Sequence, residues 1–238
     1  MSERQPFKTM ISVALAEDLA RRVAVVYPSF AAEVFVAQIA AAVEGQELKQ
    51  RIAAVAAMLR ASLPASYPEA LQILVAILEP ERPAEDGALG SGFTLAPLAA
   101  FVEAYGLDHF EESVAALNAI TRRDTAEFAI RPFLMRYPER TLAVLRRWAH
   151  DPSSHVRRLV SEGTRTRLPW AARLPAFQRD PTPVLDLLER LKDDPSSYVR
   201  RSVANNLNDI TKDHPLLAIA TLERWSAGAG SVAPEWAL

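Results

Sequence analysis

Three acidic residues, two of them one helical turn from an arginine, are the strongest candidates for chemistry in this chain. Glu127, Glu162 and Asp209 lie in the stretches AEFAIR, VRRLVSEG and NNLNDI. They occupy corresponding depths on three helices of a predicted repeat, so the three carboxylates are expected to converge in one cleft. An alternative stays open, because Glu127–Arg131 and Arg158–Glu162 could each form a simple ion pair within a helix, worth a few tenths of a kcal/mol.

A carboxylate cluster beside arginines suits the cleavage of an N-glycosidic bond. The transition state of that reaction resembles an oxocarbenium ion, which a carboxylate stabilises while it positions or deprotonates water. A base that is already cationic through alkylation leaves without being protonated, so the reaction needs no general acid. The four histidines of the chain are scattered and offer no well-placed acid, which agrees with this interpretation.

Two similar stretches are expected to position these groups. DPSSHVRRLVSEG runs from Asp151 to Gly163, and DPSSYVRRSVANNLNDI runs from Asp194 to Ile210. Asp-Pro-Ser-Ser is a helix-start signal in which an Asp or Ser oxygen accepts from free backbone N–H groups. At 100° per residue, Arg158 and Glu162 of the first copy fall on a free face. In the second copy the packing face comprises Val199, Val203, Leu207 and Ile210, and the free face comprises Arg201, Asn205, Asp209 and Lys212.

The remainder of the chain predicts helices and no strands. A helix over 125–136 is expected to kink or end at Pro132. A shift of 43 residues places the Arg157-Arg158 pair on Arg200-Arg201, and helix pairs recur at about 35 to 45 residues. This spacing predicts an all-α fold, a HEAT-like-repeat α-solenoid, in which one helix of each pair lines a concave surface.

We predict that the 238 residues form a single domain. Residues 1–79 form an N-terminal helical layer, and residues 80–94, rich in proline, glycine and acid, form an exposed loop. Residues 95–225 carry the repeats and the candidate site. Residues 226–238 begin a further helix that is incomplete.

The charge distribution bears on the partner. Residues 1–130 contain 10 Lys/Arg and 17 Asp/Glu, which gives a net charge of −7. Residues 131–225 contain 17 Lys/Arg and 11 Asp/Glu, which gives a net charge of +6. A basic half suggests a surface that faces a polyanion such as nucleic acid, although an ordinary solvated charged face explains the charge equally well.

Composition argues against several classes of site and location. The chain has no cysteine, which excludes disulfides and thiolate metal sites, and the histidine spacing does not suit zinc. No apolar run is long enough for a membrane span, and the N-terminus lacks the apolar block of a secretion signal. We therefore expect a cytoplasmic protein without a metal.

Three long motifs resemble one enzyme family. TAEFAIRPFL from Thr125, VRRLVSEGTRTRLPW from Val156 and DPSSYVRRSVANNLNDITKDHP from Asp194 resemble the HEAT-like-repeat DNA glycosylases for alkylated bases, specifically the AlkC branch of the AlkC/AlkD superfamily. The resemblance implies a monofunctional, metal-free and cofactor-free enzyme that bends double-stranded DNA in a concave groove. It also implies the removal of cationic bases, 3-methyladenine foremost and also 3-methylcytosine and 1-methyladenine, to leave an abasic site.

The resemblance assigns roles to residues by motif. Glu127, Glu162 and Asp209 would surround the lesion, and Asp209 or Glu162 would contact the sugar and the attacking water. Trp170 would stack on the exposed nucleotide or wedge into the duplex, unless it is an ordinary half-buried loop residue. The remaining predicted DNA contacts are Arg158 and Arg201 as phosphate clamps, Asn205, and, more weakly, Arg157, Arg200, Arg165 and Lys212.

Some AlkC members carry an immunoglobulin-like domain at the C-terminus. We expect this protein to be of the shorter type without that domain, and to be a monomer. Two other classes of function stay open. The same arginine-lined groove could bind DNA without excising a base, with an affinity that falls steeply with salt. A protein-interaction scaffold is the third class, because a HEAT-like fold does not by itself determine function.

Overall fold

The computed structural model describes residues 7–81 and 93–228. Within these residues there are a short 3-10 helix, Phe7–Met10, and thirteen α-helices, and there is no β-strand. The predicted all-α class is therefore confirmed. Most of the predicted loop over 80–94 and of the predicted helix over 226–238 lies outside the described residues. None of the described helices has both the length and the apolar content of a membrane span.

Described residues 7–81 and 93–133 belong to a first compact unit. Its helices are α1 (Val13–Val26), α2 (Ala32–Val43), α3 (Leu48–Ser62), α4 (Tyr67–Ala76), α5 (Ala96–Tyr105) and α6 (Phe110–Thr121). Helix α1 packs on α2, α2 on α3, α3 on α5 and α4 on α6. Leu19, Phe35, Leu59 and Phe101 are completely buried between them, and burial of each such side chain stabilises the fold by about 1.5–3 kcal/mol.

Helix α7 extends over Arg131–Arg136, residues 127–130 form turns, and residues 125–126 are irregular. The prediction that Pro132 kinks or ends a helix over 125–136 is wrong. Pro132 is the second residue of α7, where its missing N–H removes no intrahelical hydrogen bond and its fixed φ suits the first turn. Proline begins a helix here.

Described residues 134–228 belong to a second compact unit. Its helices are α8 (Pro138–Trp148), α9 (Ser154–Gly163), α10 (Pro175–Arg179), α11 (Thr182–Leu191), α12 (Ser197–Ile210) and α13 (Pro215–Gly228). The two repeated stretches form α9 and α12, which pack against each other, with α8 on α9 and α11 on α12. His155 contacts Tyr198 at the start of the two helices, and Arg165 contacts Asp209 at their end, so α9 and α12 run parallel.

An aspartate opens each repeated helix. Oδ1 of Asp151 accepts from the backbone N–H of Ser153, and Oδ1 of Asp194 accepts from that of Ser196, both at 2.9 Å. Ser153 and Ser196 are the N-cap residues but make no side-chain cap hydrogen bond. The sequence pattern allowed either the Asp or the Ser oxygen as the acceptor. In the structure the Asp oxygen accepts and holds the loop before each helix.

Gly106 in the first unit lies against a buried pair of hydroxyl groups. The Tyr67 hydroxyl and Ser113 Oγ are 2.7 Å apart, and Ser113 Oγ donates to the Gly106 carbonyl at 2.8 Å. Burial raises the pKa of Tyr67 to about 12, so this hydroxyl keeps its proton. A Cβ at Gly106 would lie 2.4 Å from both hydroxyl oxygens and 2.6 Å from the Val102 carbonyl, which leaves no space for a side chain.

We expect Gly106→Ala to lower the free energy of unfolding by about 3 kcal/mol, the upper part of the range for an overpacked core. Urea denaturation followed by circular dichroism measures this loss. Gly45→Ala is the control, because Gly45 has φ +68° with nothing within 4 Å of an added Cβ and should lose only about 1 kcal/mol for its backbone conformation. Equal losses in the two variants would show that the contacts at Gly106 do not matter.

Candidate active site

One arginine joins two of the three predicted acids in the second unit. Arg165 Nη1 donates to Glu162 Oε1 at 2.8 Å, and Nε and Nη2 donate to Asp209 Oδ2 and Oδ1 at 2.9 and 3.2 Å. Glu162 lies in the last turn of α9, Arg165 follows that helix, and Asp209 lies in the last turn of α12. We call Glu162, Arg165 and Asp209 the carboxylate cluster.

The two carboxylates of the cluster have different surroundings. Glu162 Oε2 accepts from Ser202 Oγ at 2.6 Å, and Arg158 Nη2 lies 3.5 Å from Glu162 Oε1. Among the described residues, Asp209 accepts side-chain hydrogen bonds from Arg165 alone. Hydrogen bonds between ionised partners are about twice as strong as neutral ones, so the guanidinium fixes the relative position of the two acids.

The cation of the cluster is this guanidinium. Burial would lower the pKa of Arg165, but the hydrogen bond to Asp209 and the negative charge of Glu162 outweigh burial and raise the pKa of Arg165 above its usual value. Arg165 therefore stays charged. In the part of the chain that the structure describes, no group of three or more His, Asp or Glu is placed to hold a metal ion.

The prediction of a free face is wrong for Arg158, Glu162 and Asp209. Their side chains are only 15, 8 and 11% exposed. Helices α9 and α12 lie side by side, so the polar side of α9 meets its neighbour rather than solvent, and the Arg158 guanidinium lies 5.0 Å over the ring of Tyr198. The exposed members of the predicted free face are Arg201, Asn205 and Lys212.

Arg157 and Arg200, the first arginine of each Arg-Arg pair, hold the starts of α9 and α12. Each donates from Nη1 to the two carbonyl oxygens of its own Asp-Pro, at 2.8 and 3.0 Å for Arg157 and at 2.7 and 3.0 Å for Arg200. Arg157 also donates to the Asp194 carboxylate at 2.6 and 2.9 Å, which raises the pKa of Arg157. Both side chains thus have a role in the fold, and their contact with DNA stays a prediction.

Asn206, which the sequence analysis missed, joins α12 to the end of α9. Its Nδ2 donates to the Ser161 carbonyl at 2.7 Å and to Thr164 Oγ1 at 3.1 Å. These buried bonds hold the last turn of α9, and with it Glu162, against α12. The sequence does contain a signal for this role, because Asn206 lies among the apolar residues on the packing side of α12, where a polar side chain needs a buried partner.

Trp170 lies in an exposed turn that follows the cluster. Its side chain is 64% exposed, and its φ of +64° is rare for a bulky residue. The Ala171 N–H donates to the Leu168 carbonyl at 3.2 Å, with Pro169 in the second position of the turn. These are the features of a type II β-turn, with Trp170 at the position that favours glycine. Trp170 is therefore exposed rather than half-buried.

A second arginine–aspartate pair lies beside the cluster, and the sequence analysis missed it as well. Arg167 Nη2 and Nε donate to Asp213 Oδ1 and Oδ2 at 2.5 and 3.2 Å. The signal was present in the spacing, because Arg165 and Arg167 are two residues apart in a non-helical segment and Asp209 and Asp213 are four residues apart. Two alternate side chains can reach two acids that are one helical turn apart.

Glu127, the third predicted acid, belongs to the first unit. Glu127 and Arg131 are 7 and 2% exposed. Glu103, which sequence reasoning did not single out, is in the same unit, and burial raises its pKa against the opposing influence of Lys49 and Arg131. The Lys49 ammonium lies 5.7 Å from the ring centre of Phe128. The predicted part of Glu127 in catalysis rests on its motif and stays a prediction.

Replacement of Arg165 by Gln should leave the buried Asp209 carboxylate without its bonded cation, and Glu162 with Arg158 alone, at 3.5 Å. We expect the free energy of unfolding at pH 7 to fall by about 3–5 kcal/mol, the range for breaking a buried ion pair. Urea denaturation at pH 7 measures this loss.

Arg146→Gln is the matched control for Arg165→Gln. It removes a 2.9 Å pair with Asp186 whose side chains are both 40% exposed, and it should cost about 1 kcal/mol or less. If Arg165→Gln is no less stable than Arg146→Gln at pH 7, Arg165 does not hold the cluster together.

Comparisons with known proteins agree on one family. A family model described as "DNA alkylation repair enzyme" matches residues 49–237. The Bacillus subtilis (strain 168) protein named "Uncharacterized protein YhaZ" is 42% identical over 178 residues, which are 75% of this chain and 47% of that protein. The solved structure "Pseudomonas fluorescens alkylpurine DNA glycosylase AlkC bound to DNA containing an abasic site analog" is 42% identical with a TM-score of 0.83, over 94% of this chain and 60% of that one.

The chain thus spans about half the length of one relative and three-fifths of the other. The structural match confirms the predicted HEAT-like-repeat fold, because it extends over nearly all of this chain at a high TM-score. The family model also matches most of the chain. This chain therefore belongs to the DNA alkylation repair enzyme family.

Proposed function

We propose that this protein is a DNA glycosylase that hydrolyses the N-glycosidic bond of cationic alkylated bases and leaves an abasic site. The observation that carries this proposal is the carboxylate cluster, in which Arg165 holds Glu162 and Asp209 at 2.8 to 3.2 Å. Membership of a DNA alkylation repair family supports it. So does the similarity to an AlkC alkylpurine DNA glycosylase bound to DNA with an abasic site analog.

In the proposed reaction, positive charge develops on the deoxyribose as the bond between C1′ and the base nitrogen breaks. The carboxylates of Glu162 and Asp209 stabilise this charge. The electron pair of the broken bond passes to the base and neutralises it. Water then adds to C1′ and gives up a proton to a carboxylate or to solvent.

The donors of the cluster favour Asp209 as the group that contacts the sugar and the water. A carboxylate offers about four acceptor sites. Arg165, Ser202 and Arg158 approach Glu162 from both helices, whereas a single guanidinium binds Asp209. Each carboxylate accepts two hydrogen bonds, but two arginines and a serine surround Glu162, and the Asp209 side chain is the more exposed of the two, at 11 against 8%. We therefore assign the contact with the sugar and the water to Asp209, and Glu162 serves mainly as fixed negative charge.

The make-up of the cluster also favours bases that are already cationic. A neutral base would need a proton donor to leave, and an arginine side chain does not give up its proton in proteins. Both carboxylates accept hydrogen bonds from that arginine. The cluster thus agrees with a cationic substrate. From the resemblance to the alkylated-base glycosylases we propose 3-methyladenine as the main substrate, with 3-methylcytosine and 1-methyladenine as further ones.

Double-stranded DNA is the proposed partner. Arg201, Asn205 and Lys212 are exposed on α12 and just after it, and they are the strongest candidates for phosphate contacts in the second unit. The exposed Trp170 would stack on the nucleotide or wedge into the duplex, since every base offers a face for stacking. Arg158, Arg157, Arg200 and Arg165 already contact protein groups and would contribute less.

Asp209→Asn should bind methylated DNA with nearly unchanged affinity and release 3-methyladenine on the order of 100-fold more slowly, the loss expected for one electrostatic stabiliser of a transition state. Single-turnover release measured by mass spectrometry gives the rate, and fluorescence anisotropy gives the affinity. Asp186→Asn is the matched control, because Asp186 forms an exposed ion pair on α11 and its loss should leave the rate unchanged. The proposal fails if the unmutated protein releases no methylated base.

A further inference from the structure

The segment that carries Trp170 is attached at two points, to the last turn of α12 and to the turn of chain that follows this helix. Arg165 reaches Asp209 in the last turn of the helix, and Arg167 reaches Asp213 four residues later. The side chains of Thr166 and Leu168 alternate with the two arginines and are buried. The segment therefore binds α12 on one side and the protein interior on the other.

Asp213 is itself held firmly. Its backbone N–H donates to the Ile210 carbonyl at 3.1 Å, and the N–H of His214 donates to the same carbonyl at 2.8 Å. Gln178 Nε2 adds a long hydrogen bond of 3.4 Å to Asp213 Oδ2. Hydrogen bonding from Arg167 lowers the pKa of Asp213, so the pair stays ionised at neutral pH.

The turn that follows is strained. Trp170 has φ +64° at a turn position that favours glycine, a backbone conformation that is energetically unfavourable for a residue with a side chain. Backbone strain of this kind persists only where the surrounding structure maintains it. Arg167 is three residues before Trp170, and its hydrogen bonds to Asp213, just after α12, are the last side-chain anchor before the turn begins.

We propose that Arg167 and Asp213 are positioning residues, whose ion pair holds the Trp170 turn at a fixed place beside the carboxylate cluster. The inference rests on the proposed function and deepens it. Neither side chain touches the reacting atoms. Their pair sets where the exposed indole lies relative to Asp209, and a displacement of about 1 Å in such a group can cost a large factor in rate.

The test compares Arg167→Gln, the exchanged pair Arg167→Asp/Asp213→Arg, and the control Arg146→Gln. Arg146 forms a 2.9 Å pair with Asp186 on the α8–α11 side of the same unit, so its loss removes an ion pair of the same type away from the turn. Two quantities are measured for each variant: the single-turnover rate of 3-methyladenine release and the affinity for the same methylated DNA. Thermal unfolding establishes that each variant is folded.

A third measurement follows the turn directly. In time-resolved fluorescence anisotropy of a Trp236→Phe background, the fast component of the decay reports mainly on Trp170, because Trp148 and Trp225 are buried and their rings move slowly with the core. Arg167→Gln should increase the fast component of the anisotropy decay. The exchanged pair should return it toward the value of the parent protein.

We expect Arg167→Gln to slow base release roughly tenfold with the affinity for DNA changed less than about twofold, and the exchanged pair to recover most of the rate. Arg146→Gln should match the unmutated protein.

If the unmutated protein releases base and folded Arg167→Gln does so equally fast, the positioning role is wrong while the proposed function stands. If the exchanged pair is folded but no faster than Arg167→Gln, or if Arg146→Gln loses as much, the positioning role is also wrong. If the unmutated protein releases no base, both inferences fall together.

Discussion

The second unit depends on one guanidinium between two buried carboxylates. Glu162 and Asp209 come from different helices and would repel each other at close range without a cation between them. Arg165 binds both, at 2.8 Å to Glu162 and at 2.9 and 3.2 Å to Asp209. Because removal of a buried cation leaves its partners uncompensated, this arrangement ties the packing of α9 and α12 to the geometry of the proposed site.

The parallel packing of the two repeated helices makes the cluster possible. Asp151 and Asp194 open α9 and α12 with the same 2.9 Å hydrogen bond, and the contacts of His155 with Tyr198 and of Arg165 with Asp209 show that the two helices run in the same direction. Asn206 then joins their far ends through the Ser161 carbonyl. As a result, acids that are 47 residues apart in the sequence meet at one end of the helix pair. Arg167 pairs with Asp213 just beyond this end, and the turn with the exposed Trp170 begins directly after Arg167.

Much of the fold followed from local sequence patterns, whereas the surroundings of the site did not. Asp-Pro-Ser-Ser and the apolar spacing located α9 and α12, because helix starts and helical periodicity are local properties. The periodicity shows which residues share a side of a helix but not which neighbour covers that side, so it placed Glu162, Arg158 and Asp209 on a free face that is in fact covered. Arg165 was expected only as a weak phosphate contact, because its partner Asp209 is 44 residues away. The predicted role of Pro132 was wrong because proline is common both after the end of a helix and in its first turn, and the local sequence does not distinguish the two positions.

The most direct test of the proposed site is a double-mutant cycle on its two acids. Single-turnover release of 3-methyladenine would be measured for Glu162→Gln, Asp209→Asn and the double variant, after thermal unfolding has shown that each is folded. If Arg165 makes the two carboxylates a single functional unit, the double variant should be slower than the worse single variant by only about threefold or less. Losses that multiply would show that the two acids act independently and would contradict the role assigned to the carboxylate cluster.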